Sequence, residues 1–256
     1  RMWDGVAGRL VRRGHPVLSV DLRAHGRSSK VDGPFDVATV ADDVAAVVAA
    51  LGLERPVVAG QSWGGNVVLE LGVRHAEAVR GIVCVDGGWI ELRRRFATWE
   101  DCVATLAPPR LAGRPRAEVE GDLDPATLAE LRARHADWPE AGIRGALANF
   151  EVREDGTIAP WLTFDLHLAV LRALWDHRPS ERYPDVAVPV LLVPARHPDG
   201  EDPERAQDKE HDVAQAAAAI PRSRVRRFVG DHDIHAQHPD ELADVMADLA
   251  ADGFFA

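Results

Sequence analysis

The spacing of hydrophobic residues changes period several times along the chain, and those changes mark the elements. Residues 2–13 place Met2, Trp3, Val6, Leu10 and Val11 at helical spacing, and Gly14 ends the run. HPVLSVD, ending at Asp21, is a short β-rich run that leads into a loop dense in turn formers, LRAHGRSSKVDGPF. From 36 to 51, Val37, Val40, Val44, Val47 and Leu51 make one stripe, with Asp36 placed to cap the helix and Gly52 to stop it. RPVVAG then reads as a strand of the buried type, GGNVVLELGVRHA as a helix, and RGIVCVD as a third strand. Late in the chain the rhythm returns with a strand at AVPVLLVPA (187–195), a helix over 203–219, a strand at SRVRRFV and a closing helix at PDELADVMADLAA. Strands alternating with helices predict an α/β protein with a mostly parallel sheet covered on both faces.

The middle of the chain breaks this rhythm. DPATLAELRARHA carries an Asp-Pro helix start, FEVREDGTIAPWL reads as a hairpin turning at Asp155-Gly156, and LTFDLHLAVLRALWDH is helical. Residues 88–186 are therefore expected to be a mostly helical cap inserted into a core made of 1–87 and 187–256; helices that merely enlarge the core are the alternative.

Composition narrows the function. A net charge of −11 over 256 residues disfavours nucleic acid and anionic membrane surfaces, both of which need a basic face. No apolar run approaches the roughly 20 residues that span a bilayer. Cys84 and Cys102 form neither a CxxC nor a metal-spaced pair, so a reducing, cytoplasmic setting is expected. Only Lys30 and Lys209 are lysines, a bias read as compositional.

The candidate chemistry lies in Gly60-Gln61-Ser62-Trp63-Gly64, a G-x-S-x-G string between a predicted strand and a predicted helix. Such an elbow exposes a serine hydroxyl, and the helix behind it favours developing negative charge. Glycines two before and two after are expected because a Cβ there would collide with neighbouring backbone; Gly65 adds clearance. The Walker lysine and the G-x-G-x-x-G pattern of phosphate loops are absent. Ser62 is thus the candidate nucleophile, with the backbone N–H of Trp63 as an oxyanion donor. His232, directly after the last predicted strand, is the candidate base. HDIHAQH also carries His235 and His238, but no clean ligand set for a metal.

Three motifs in order, DLRAHGRS (21–28), the elbow with Gly65, and Gly230, His232 and Pro239 at the end, resemble those of the α/β-hydrolase superfamily, in its cap-bearing, serine-nucleophile branch. The resemblance implies a serine hydrolase of esters, lactones or related acyl substrates, without cofactor or metal. It implies that His25 shapes the pocket, to which Gln61 and Trp89 are also assigned. The acid has two candidates. The usual loop reads RHPDGEDPE and offers Asp199, whereas Asp86 ends the preceding strand, a place some relatives use; Asp86 is preferred. A structural reading of Asp86, as a cap on the amides of Gly87 and Gly88, competes with both. The superfamily usually has two or three strands before the helix that opens this chain, with an H-G loop supplying the second oxyanion donor. Since Arg1 stands where an initiator Met would, a truncated longer hydrolase is expected. A proline-iminopeptidase-like aminopeptidase and a non-catalytic small-molecule-binding protein on the same fold are the rival functions. The oligomeric state and the natural substrate are not legible in the sequence.

Overall fold

The computed structural model describes residues 1–108, 137–152, 154, 157–197 and 203–256. Helices among them are α1 Asp4–Arg12, α2 Val37–Ala50, α3 Trp63–Arg74, α4 Trp99–Leu106, α5 Glu140–Leu147, α6 Phe164–Asp176, α7 Pro203–Ala219, α8 Ile234–Gln237 and α9 Pro239–Ala251. Strands are β1 Val57–Gln61, β2 Gly81–Val85, β3 Phe150–Val152, β4 Ile158–Pro160, β5 Val190–Val193, β6 Ala195–Arg196, β7 Ser223–Val225 and β8 Phe228–Val229. Two compact units share the chain. One holds Arg1–Val31, Ala107–Leu168 and His235–Asp244; the other holds Asp32–Leu106, Ala169–Ile234 and Val245–Ala256.

The larger unit contains a four-stranded parallel sheet in the order β1-β2-β5-β7. Every residue of β2 and β5 is buried, which is why GIVCV and VLLV are unbroken apolar runs rather than alternating ones. β1 departs from the expected buried strand. Val57, Val58 and Ala59 are only half-buried, because β1 pairs with β2 alone among the described residues. Asp36 caps α2 by accepting a 2.9 Å hydrogen bond from the Thr39 amide. α2 packs on α3, and α3 on β1 and β2. Gly72 allows this close approach, since a Cβ there would lie 3.0 Å from Val188 and 3.1 Å from Ile82.

SRVRRFV splits into β7 and β8, and the AVPVLLVPA run into β5 and β6; β6 pairs with β8 in a short parallel extension. That extension carries the chain out past the end of the main sheet, directly before Asp231 and His232.

The smaller unit joins α1, α5 and the start of α9. Trp138, Ile143 and Ala236 form its core with Met2, Ala146 and Leu147 against them. Arg9 and Arg13 hold Asp244 at 2.8–2.9 Å. Their guanidinium groups draw the Asp244 carboxyl down to about 2. The expected hairpin is present as antiparallel β3 and β4, while its Asp155-Gly156 turn lies outside the described residues. The helix expected at 124–136 also lies outside them.

One expected strand does not form. HPVLSVD adopts no ladder, and Val17, Leu18 and Val20 are 39%, 52% and 49% exposed. A β-rich composition makes the chain extended, but a strand also needs a partner to exchange hydrogen bonds with. This segment has none among the described residues of its unit.

Because Leu191 is 1% exposed at the centre of the sheet, Leu191→Ala is expected to cost about 2–5 kcal/mol, read as a lowered denaturant midpoint with an unchanged slope.

Candidate active site

Strand register brings the predicted residues to one edge. Gln61 pairs with Val85, and Val85 with Val193, so Ser62 and Asp86 leave the sheet at the same level on adjacent parallel strands. Two backbone bonds extend the ladder one step further: the Ser62 amide donates to Val85 O at 2.9 Å, and the Asp86 amide to Val193 O at 2.8 Å. Both residues then turn sharply. Ser62 has φ 54° and Asp86 φ 41°, a left-handed region that costs a non-glycine residue about 1–3 kcal/mol.

Neighbouring glycines enforce these turns: Gly60 and Gly65 as expected, Gly87 in addition, but not Gly64. A Cβ on Gly60 would lie 2.1 Å from Gly64 O, so this glycine is required. Gly64 itself is not: nothing stands within 4 Å of a Cβ there, because that position faces away from the packed backbone. The second obligatory contact comes instead from Gly65, whose Cβ would meet Gly87 at 2.8 Å, and from Gly87, whose Cβ would lie 2.1 Å from Ser62 O. The turn after β2 is thus pressed directly onto the serine backbone. Behind it, Asn66 accepts from the Gly88 amide and donates to Ile90 O, both at 2.8 Å. Beneath it, burial pushes the Cys84 thiol up, which keeps it a neutral packing group.

Asp86 is 4% exposed and carries its two oxygens into a full set of donors. Oδ1 accepts from the Ala195 amide at 3.0 Å and lies 2.8 Å from Lys209 Nζ. Oδ2 meets His232 Nδ1 at 2.6 Å and Lys209 Nζ at 3.0 Å. The proposed cap on Gly87 and Gly88 is therefore not what occupies this carboxylate. Burial pushes the carboxyl up, but the His232 hydrogen bond and the Lys209 charge outweigh it and hold Asp86 below the usual carboxylate range. Its alternative, Asp199, lies outside the described residues.

His232 has a side chain 53% exposed, so its ring meets solvent on one side and Asp86 on the other. Gln61, assigned from sequence to the pocket, donates its Nε2 to His232 O at 3.1 Å and so ties the histidine loop to the elbow. Next to it Asp231 pairs with His197 at 3.1 Å. Trp89 is 2% exposed among core residues. Trp63 begins α3, and its amide is the first of that helix after Ser62. His25 belongs to the smaller unit, where its Nδ1 lies 3.0 Å from Arg23 O and burial pulls the ring down. His235 stacks on Trp3 at 4.7 Å and is 2% exposed. Among the described residues no three His, Cys, Asp or Glu side chains converge as a metal site, and no helix is long and apolar enough to cross a membrane.

Sequence reasoning missed Lys209. It sits inside an otherwise polar helix, and only its rarity, as one of two lysines, marked it.

A strand–serine–helix elbow, an acid at the next strand end and a histidine beyond the last strand define a hydrolase-type α/β protein. The profile of the Alpha/beta hydrolase family matches residues 1–245, and the chain belongs to that family. It is 45% identical over 73 residues to a non-heme haloperoxidase of Rhodococcus erythropolis, covering 28% of this chain and 27% of that one. It is 42% identical over 66 residues to a bifunctional esterase/perhydrolase of Acinetobacter calcoaceticus, covering 26% and 24%. The crystal structure of E-2-(acetamidomethylene)succinate hydrolase superposes with a TM-score of 0.68 at 20% identity, over 96% of this chain and 87% of that one, a likeness of fold. The matched segments span from about a quarter to less than two thirds of the curated relatives' length.

Gly87→Ala is expected to lower both the unfolding midpoint and the reactivity of Ser62, the latter at least about tenfold, since the new methyl must displace the serine carbonyl. Gly64→Ala in the same assays should leave stability unchanged or raise it by up to about 1 kcal/mol, as alanine favours the helix.

The depressed Asp86 carboxyl contributes stability above the ordinary carboxylate range, and that stability is lost as pH falls through its folded value. Wild type should therefore lose more of its denaturant midpoint between neutral pH and about pH 3 than Asp86→Asn does.

Proposed function

We propose that the chain is a serine hydrolase that acts on a small ester, lactone or related acyl substrate. Ser62 is the nucleophile, His232 the general base and Asp86 the acid. The observation that carries this reading is the 2.6 Å contact between Asp86 Oδ2 and His232 Nδ1, at the same sheet edge as the Ser62 elbow. The esterase named among the relatives supports an ester-like substrate. In this reading residues 88–186 form the cap that selects it.

With Nδ1–H donated to Asp86, the other ring nitrogen, Nε2, keeps a lone pair, so the tautomer suited to a base is the one held. Nε2 takes the proton from Ser62 Oγ as that oxygen attacks the substrate carbonyl carbon. The carbonyl π electrons move onto oxygen, and the Trp63 amide at the start of α3 donates to that oxyanion. Nε2 then returns the proton to the leaving alcohol as the tetrahedral adduct collapses to an acyl-Ser62. Water repeats the sequence, losing its proton to His232 and releasing the acid and free serine. The positive φ at Ser62 keeps the hydroxyl ahead of the strand throughout. A carboxylate that remains ionised through the physiological range stabilises the imidazolium in each transition state.

A fluorophosphonate probe is expected to label the wild-type protein, and Ser62→Ala and His232→Ala to abolish labelling. Asp86→Asn should reduce kcat for p-nitrophenyl acetate by about 10⁴-fold, as loss of the correct tautomer does in other triads. Unlabelled wild-type protein would favour a non-catalytic binding role on the same fold.

A further inference from the structure

We propose that Lys209 is a positioning residue for the acid: it grips both oxygens of Asp86 and offsets the negative charge that reaches His232. This rests on the assignment of Asp86 and His232 above.

A carboxylate can accept about four hydrogen bonds. In Asp86 the Ala195 amide and His232 supply one each, and the Lys209 ammonium donates one to Oδ2 at 3.0 Å while lying 2.8 Å from Oδ1 as an ion pair. The lysine side chain is itself only 16% exposed, so its charge is poorly screened by water. It comes from the second turn of α7. Lys209 bonds the oxygen that also bonds His232, so ammonium and imidazole, 3.0 and 2.6 Å from one atom, lie within about 6 Å of each other.

An isolated Asp–His pair goes from −1 to neutral when the imidazole is protonated. With Lys209 in place the same step takes the cluster from neutral to +1. The lysine therefore makes protonation of His232 harder, while holding the carboxylate in the rotamer that meets Nδ1. Neighbouring charges are engaged elsewhere. On α7 Glu210 holds Arg227 at 2.6 Å, and Asp212 pairs with Arg94 at 3.2 Å and Arg95 at 3.9 Å; on the histidine loop Asp231 pairs with His197. Asp233 follows His232 on the same loop. Lys209 contacts Asp86, and its effect on the histidine is transmitted through that carboxylate.

Lys209→Met removes the charge, and Lys209→Gln removes it while keeping an N–H donor on a side chain one atom shorter. The titration midpoint of His232 is followed by NMR in protein labelled with ¹³C-histidine, its signal assigned with His232→Gln. Both neutral variants should raise that midpoint by about one pH unit, the effect of a unit charge at this range on a half-exposed ring. The acid limb of kcat/KM for p-nitrophenyl acetate should move up with it, and Lys209→Arg should restore both. A brace without electrostatic effect would lower the rate at every pH and leave the midpoint in place. An unmoved or lowered midpoint in folded Lys209→Gln would overturn the proposal. The NMR midpoint needs no turnover, so it is decided separately from fluorophosphonate labelling of Ser62, on which the hydrolase reading stands.

Discussion

A carboxylate taken out of water must be given donors or lose its charge, and Asp86 is 4% exposed. Its donors come from three separate stretches: the amide that opens β6, the loop beyond β8 and the second turn of α7. None is near Asp86 in sequence, and the most local of them is 109 residues away. The buried charge thus fixes where the chain must return after β5 and after β8. The ladder between β6 and β8, only two residues long on each side, places the histidine loop at the required height.

Backbone crowding is the second constraint. Two left-handed residues on adjacent strands are tolerable only because glycines leave room between them, and the same glycines prevent either turn from relaxing. The sheet edge is in this sense a single interlocked object, with Ser62 O against Gly87 and Gly65 against the same turn. Ser62 and Asp86 are positioned by one another's backbone before any side chain is considered.

Much of this was legible in the residues. Apolar runs located β2 and β5, the Asp36 cap and the valine stripe located α2, and the G-x-S-x-G string with its strand and helix located Ser62. Asp86 was legible as the residue that ends a strand. What could not be read were relations between distant segments. HPVLSVD has the composition of a strand, yet pairing is a property of two segments, and its valines are exposed. The steric need for Gly65 and Gly87, and the freedom at Gly64, depend on which backbone passes behind each. Lys209 lies in a polar helical stretch where any charged residue would look solvated, and only the third dimension brings it to a carboxylate 123 residues earlier.

The positive φ at Ser62 is imposed by the cage around it, Gly60, Gly65 and Gly87, and owes nothing to the hydroxyl. A cysteine or an aspartate at position 62 would inherit the same projection into the same space. The scaffold is therefore indifferent to the chemical identity of what it presents. A different side chain at this edge requires one codon and no rebuilding of the fold, whereas any one of the three caging glycines is far harder to exchange than the serine they enclose.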